Sequence, residues 1–364
     1  MHPWILNAQS AINARLLVTD CPRSQKQADI WYFGDKSGID FRSGTAIPLT
    51  DQNVMTSFKS SGIICDSVGN LLLLTDGKRV WNKNLALMDH ANSLEGDLGV
   101  TQPCIIVPLP DNPDRYYIFT IDVMAFKPDN SYTTNGLKYT VIDMTMYNGL
   151  GDARDTMNMS LLNPVCQKLT AVKHSNHRDF WVIVHQWNSN AFYSYLLTPS
   201  GLQSPVISNA GTIMGGGFID QTNAYGYMKA SPDGSKLGLA ISGLNKVELF
   251  DFNNSTGSVS NPRSFTTTDP GIAPYGIEFS PDNKKMYTTL LQIVGNGPPT
   301  THSRLYQFDL NAGFTAPVLI DTIPGERVGG MQLATDGRIY LARTVNILTK
   351  RDQNNILTLY ATLA

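Results

Sequence analysis

The sequence predicts an all-β fold built from one unit copied along the chain, and three observations predict it. The first is a recurrent strand. Tyr139-Thr-Val-Ile-Asp143, Val247-Glu-Leu-Phe-Asp251 and Leu305-Tyr-Gln-Phe-Asp309 are apolar runs that close on Asp and enter a Gly-bearing turn, and Tyr193 to Leu197 fill the gap in the series. From Asp143 to Leu197, Asp251 and Asp309 the intervals are 54, 54 and 58 residues, the mark of one supersecondary unit repeated. The second is a recurrent hairpin. Ile63 to Leu74, Tyr227 to Gly238, Gly276 to Tyr287 and Met331 to Tyr340 each hold two apolar runs around a short polar turn, twice written Ser-Pro-Asp-Gly or Ser-Pro-Asp-Asn. Pro presets the first central residue of such a turn, Asp bonds back to its own backbone, and Gly or Asn accepts a positive φ. The third is composition. Only 16% of the residues are charged, and Asn, Thr, Ser and Gly stand where Lys and Glu would otherwise be, which suits many tight turns between short strands.

Taken in order, residues 1–27 lack steady periodicity and are expected to be a poorly ordered leader, with a single domain spanning 28–364. Two looser hairpins, Cys104 to Asp122 and Leu169 to His185, bring the number to six. A hairpin followed by a third strand ending in Asp, at a period slightly above the roughly 40 to 45 residues of WD-type units, is the layout of a β-propeller blade. Ile30-Trp-Tyr-Phe-Gly34 reads as a third strand without a hairpin before it, so it is expected to complete the blade begun by Met331 to Ala342 and close the ring by pairing the N- and C-terminal strands. Six blades follow, with a seventh if Leu357 to Ala361 joins Ile39-Asp-Phe41. No stretch carries an amphipathic helical stripe, so helix content is expected to be very low.

A net charge of −2 leaves no broad basic face for phosphates, so nucleic acid is excluded as an expected partner. No apolar run reaches the roughly 18 residues of a membrane span. The four cysteines, Cys21, Cys65, Cys104 and Cys166, form neither a dense disulfide framework nor a C-x-x-C pair. The start lacks the features of a signal peptide.

Several motifs occur in a fixed order: Trp31-Tyr-Phe-Gly34, Gly38-Ile-Asp-Phe41, Asp66-Ser-Val-Gly-Asn-Leu71, Val80-Trp-Asn82, Gly149-Leu-Gly-Asp152, Lys168-Leu-Thr-Ala-Val-Lys-His174 and Gly226-Tyr-Met-Lys-Ala-Ser-Pro-Asp-Gly-Ser-Lys236. This series, over about residues 28–342, resembles the propeller-like N-terminal region of Bacteroidetes surface proteins associated with gliding motility and type IX secretion. The resemblance implies a cell-surface or secreted binding module, placed outside the cell, whose partner is a protein or a glycan. Such family members often continue into immunoglobulin-like repeats and a sorting domain, whereas the likeness here is lost over residues 343–364.

Linear catalytic signatures such as G-x-S-x-G, H-E-x-x-H or a Walker loop are absent from the sequence, and no cofactor is expected. The leading expectation is therefore a non-enzymatic binding or structural module. The alternative is a propeller enzyme, a lactonase-like hydrolase or a quinoprotein-like oxidoreductase, with its groups gathered in the central channel. Aligning the hairpins on their turns puts Lys173, Lys229, Glu278 and Gln332 at one position of the innermost strand, two residues before each turn opens, where they would converge into a polar ring binding a ligand or ion. Against this stands a structural role, in which Lys and Glu pair with one another. His174 and His177, with His185 and Asp179, are weak metal candidates, because the first two flank a turn and His185 ends the next strand. Of the aromatic residues, Trp31, Tyr32, Trp81, Tyr116, Tyr117, Phe180 and Trp181 are expected to fill the core. Trp187, in a strand-to-strand turn, is the candidate for glycan contact. Asp35 and Asp40 are read as turn formers before calcium ligands, and Gly215-Gly-Gly217 as an inter-blade loop.

Overall fold

A computed structural model describes residues 24–34, 37–50, 54–55, 59–153, 156–293, 302–314, 316–324 and 327–344, together with the backbone of strand Leu357–Ala361. Of the expected leader, residues 1–23 lie outside the described residues, and Ser24–Ala28 form a short 3-10 turn. The chain is an all-β propeller. Six sheets each open on one of the hairpins read above, and each runs as an antiparallel meander outward from its first strand.

Blade 1 has strands Gly62–Cys65, Leu71–Thr75 and Val80–Asn82. Blade 2 has Cys104–Pro108, Arg115–Ile121, Leu137–Asp143 and Met159–Leu162. Blade 3 runs Val165–Lys173, Phe180–Gln186, Ser189–Thr198 and Val206–Met214, the third strand also pairing Gly201–Leu202. Blade 4 is Met228–Ala230, Lys236–Ile241, Lys246–Asn253 and Ser258–Thr266. Blade 5 is Ala273–Phe279, Lys285–Leu291, Ser303–Asp309 and Val318–Ile323. Blade 6 is Arg327–Leu333, Ile339–Thr344 and Leu357–Ala361.

The turn chemistry explains why the hairpins form where they do. In blade 4 the Ser231 hydroxyl donates to Asp233 at 2.6 Å, the Ser235 N–H donates to the same carboxylate at 3.0 Å, and Gly234 takes φ +69°. Blade 5 repeats this with Ser280, Asp282 and Lys284, Asn283 taking the positive φ. Side-chain acceptors thus satisfy backbone donors that the strand ladder leaves unpaired.

Ring closure differs from the sequence expectation. Ile30–Phe33 does not add to blade 6; it pairs in register with Ser37–Asp40, which pairs with Ile47–Thr50, making a separate three-stranded sheet between blade 6 and blade 1. Leu357–Ala361 takes the place expected of the N-terminal strand, pairing with Ile339–Thr344. The N-terminal sheet still meets the last blade, through side chains: Trp31 and Phe41 pack edge-on to Tyr340, with ring centroids 5.6 and 5.4 Å away. Ile30 and Tyr32, on the opposite face, pack with Ile63, Leu74 and Trp81 of blade 1. A strand whose two faces are both apolar is well suited to sit between two blades. Among the described residues no helix is long and apolar enough to cross a membrane.

Candidate functional site

The innermost strands of a propeller all run the same way, so each has an entry end, fed by the loop from the previous blade, and an exit end at its hairpin. These two ends hold different chemistry here.

Towards the exit end, three of the four aligned positions come together. Lys229 of blade 4 donates to the Gln332 side-chain oxygen of blade 6 at 2.5 Å and lies 3.5 Å from Glu278 of blade 5. The Glu278 carboxylate also accepts from the Phe279 N–H at 2.7 Å and from the Leu333 N–H of the next blade at 3.0 Å. The Gln332 amide donates to the Leu333 carbonyl at 3.0 Å, and the Lys229 ammonium rests 5.9 Å from the Tyr227 ring centroid. All three residues are at most 1% exposed, and their contacts tie three blades together.

Lys173 is not part of this cluster. The bond that opens each turn runs from Ser231 N–H to the Lys236 carbonyl, from Ser280 to Lys285, from Ala334 to Arg338 and, in blade 3, from His174 to Asp179. The blade 3 turn therefore opens one residue earlier than the sequence alignment assumes, and Val172, packed with Trp181 in the apolar core, holds the matching position. Lys173 sits half-buried at the strand end opposite Phe180.

Two residues that hairpin alignment missed complete the polar interior. Lys168, fully buried in the first strand of blade 3, donates to the Ala224 carbonyl at 3.0 Å and the Tyr225 carbonyl at 2.9 Å. Burial lowers its pKa to about 8. Gln102, before the first strand of blade 2, accepts from the Met228 N–H at 2.8 Å and donates to the Met228 carbonyl at 3.1 Å, linking blades two apart. The signal for Lys168 was present in the sequence as a charged residue in the interior of a strand, beside Gln167 and flanked by Val165, Cys166 and Leu169.

The metal candidates disperse. His174 faces the Ser255 carbonyl at 3.1 Å and accepts from the Asn176 N–H, His177 occupies the left-handed turn position at φ +57°, and Asp179 is held by Arg178 and Asn176. His185 is buried inside the blade with Nδ1 2.9 Å from the Gln186 carbonyl, and burial lowers its pKa to about 3. No three His, Cys, Asp or Glu side chains converge among the described residues. Asp40 forms a bidentate pair with Arg42, and Asp35 lies outside the described residues.

Trp187 is a correction. It is 2% exposed, with its ring 5.8 Å from Phe126 and no partner for its indole N–H among the described residues, so it is core and offers no face to a glycan. The strand pair Ala125–Phe126 and Tyr132–Thr133, an insertion in blade 2, folds over it. The Gly215-Gly-Gly217 loop is tied down as well: Gly216 N–H donates to Asn188, and Phe218 N–H to Asn130.

The entry end holds a cleft of about 730 Å³ lined by Thr222, Ser242, Asn245, Thr267, Thr268, Asp269 and Gln292 together with Pro270, Gly271, Ile272, Ala273 and Ile293. These residues come from the 3-10 turn Phe218–Ala224, from Ser242–Leu244 and the residue after it, from the loop joining blades 4 and 5, and from just past the end of the second strand of blade 5. Asp269 is neutralised, paired with Arg304 and accepting from the Tyr306 hydroxyl at 3.1 Å. The cleft therefore presents hydroxyl and amide groups beside apolar surface from Pro270, Ile272, Ala273 and Ile293, with little net charge.

No protein-family model matches the chain, and no curated protein matches it. Among solved structures, a protein from Lactobacillus plantarum aligns with a TM-score of 0.49 and 11% identity over 90% of this chain and 94% of its own. A proposed 6-phosphogluconolactonase from Bacteroides uniformis aligns at 0.49 and 12% over 90% and 96%, and a luciferin-regenerating enzyme at 0.41 and 14% over 82% and 86%. At this level of similarity neither an activity nor a ligand passes from them to this chain.

Proposed function

We propose that the chain is a non-enzymatic ligand-binding propeller that takes a glycan in the cleft at its entry end. The observation that carries this reading is the cleft's lining. Thr222, Asn245, Thr268 and Gln292 bring hydroxyl and amide groups from separate segments to one concave surface beside the apolar Ile272 and Ile293, which suits a ligand that presents hydroxyls and an apolar ring face, while the Ser242 and Thr267 hydroxyls already donate to the Pro274 and Asn245 carbonyls. The channel supports the same reading, because its acid, Glu278, is already engaged by Lys229 and two backbone N–H groups. Placement at the cell surface, in a protein of the Bacteroidetes gliding-motility and type IX secretion group, is part of the proposal and rests on the resemblance of the sequence motifs alone.

The test is a glycan-array screen of the wild type beside Asn245→Ala and Thr268→Val, both on the cleft wall. Binding that weakens about tenfold or more in either variant supports the cleft as the site. Binding that both variants leave intact places the ligand elsewhere, and turnover of a lactone or glycan substrate by the wild type would overturn the non-enzymatic reading.

A further inference from the structure

The entry mouth also carries a cation whose surroundings suit an anion. Lys59 leads into the first strand of blade 1, and its ammonium lies 5.6 Å from the ring centroid of Tyr275 in the first strand of blade 5. These blades are not neighbours in the ring, so the two residues meet across the central opening. Tyr225, at the entry to blade 4, completes the group: burial raises its phenol pKa, Lys59 pulls it down and Tyr275 pushes it up, which puts all three within electrostatic reach.

Two observations say that this group is unfinished. The Tyr275 hydroxyl is buried, in a residue only 4% exposed, and finds no hydrogen-bond partner among the described residues. Buried hydroxyls are rarely left so, because the hydration lost on burial is then replaced by nothing. Lys59, half-buried, is paired with no carboxylate among the described residues, and Tyr275 and Tyr225 stand beside it. Lys229 and Lys168, also near the channel, are already engaged, the first by Glu278 and Gln332 and the second by two carbonyls.

The mouth adjoins the cleft. Ala273 lines the cleft and Tyr275 lies two residues on in the same strand, while Ser242, also on the cleft wall, donates its N–H to the Tyr225 carbonyl at 3.2 Å. A ligand long enough to extend from the cleft to the mouth would meet an ammonium and two phenols. One cation with neutral O–H donors matches a singly charged carboxylate; phosphate and sulfate are more often met by guanidinium forks or runs of backbone N–H.

We propose that the site reads an acidic glycan, the carboxylate of a uronate residue being held by Lys59 with the Tyr275 and Tyr225 hydroxyls. This rests on the glycan reading of the cleft and narrows it to one ligand class. The carboxylate would complete the hydrogen bond that Tyr275 lacks.

Calorimetric titration of the wild type with trigalacturonate and with its methyl ester isolates the charge while keeping the sugar. The acid is expected to bind at least about tenfold more tightly, with an advantage that shrinks as salt rises. Lys59→Gln should abolish that preference, and Tyr275→Phe, which keeps the ring, should weaken the acid about three- to tenfold with the ester unchanged. Equal binding of acid and ester by the wild type, an intact preference in Lys59→Gln, or displacement of trigalacturonate by equimolar inorganic phosphate overturns the inference. Neutral glycans bound without any acid preference would leave the cleft reading standing, whereas no binding of any glycan removes both.

Discussion

Lys236 and Asp251 stand directly opposite one another on the second and third strands of blade 4, with the ammonium 2.7 Å from the carboxylate. The same register pairs Lys285 with Asp309 and Arg115 with Asp143 in blades 5 and 2. In blade 3 the corresponding pair is Phe180 and Leu197. The repeated Asp of the sequence is thus half of a cross-strand contact, exchanged once for an apolar pair of the same register. Opposed partners of this kind are the unit of sheet stabilisation.

The exposure of the ionic versions limits what they contribute. Asp251 is about one-third exposed, and although burial raises its pKa, hydrogen bonds from Lys236 and Asn261 with the charges of Lys236 and Arg263 lower it further. Asp251→Asn is expected to lose about 0.5 to 1 kcal/mol by urea unfolding at neutral pH. With a folded-state pKa below the unfolded one, this contribution is present above the ordinary carboxylate range and lost as pH falls through the depressed value. A loss that persisted unchanged at pH 2 would show that the amide disturbs the strand in some other way.

The Lys229–Glu278 pair behaves differently, because neither group sees water. Glu278→Gln leaves a buried ammonium uncompensated and is expected to cost about 3 to 5 kcal/mol, as is Lys229→Met. The double variant should recover much of that loss. A double-mutant cycle by urea denaturation measures the coupling; simple additivity would mean that the two charges do not sense each other.

Trp187→Ala is expected to act on stability and not on recognition. Its ring is enclosed by the blade 2 insertion and the blade 3 core, so truncation opens a cavity and costs about 3 to 5 kcal/mol. Thermal unfolding checks the loss. Trp187→Phe should retain most of the stability, since Phe refills much of the volume and the indole N–H has no partner to lose among the described residues.

What the sequence disclosed follows from how local each signal is. A turn such as Ser-Pro-Asp-Gly is specified within a few residues, so the hairpins were legible and with them the six blades, whereas closure of the ring, which depends on a strand far off in sequence, was not. Lys229, Glu278 and Gln332 were found because similar Asp-bearing turns aligned them, whereas the Asn-His-Arg-Asp turn of blade 3 offered no such anchor and the register slipped by one, selecting Lys173 in place of Val172. The entry-end cleft escaped because its walls come from loops far apart in sequence that share no motif. Trp187 misled because the residues that cover it, Phe126 and Tyr132, belong to an insertion more than fifty positions away. Position in a turn does not reveal what folds over the turn.

Lys168 supplies a prediction of alkaline behaviour. Burial brings its pKa from about 10.5 to about 8, so between those values the unfolded chain holds a proton that the folded chain does not. Stability must therefore rise as pH goes from 8 to 10.5, by up to about 3 kcal/mol, and below pH 8 the penalty of the buried charge is present in full. Lys168→Met removes the titrating group while keeping a long flexible chain in the blade 3 core, although the Ala224 carbonyl then loses its donor. Urea midpoints of the wild type and the variant, measured across that range, are expected to show the wild type gaining stability relative to the variant as pH rises from 8 to 10.5, because only the wild type carries the titrating group. Parallel profiles would show that the ammonium is solvated by more than the two carbonyls that hold it.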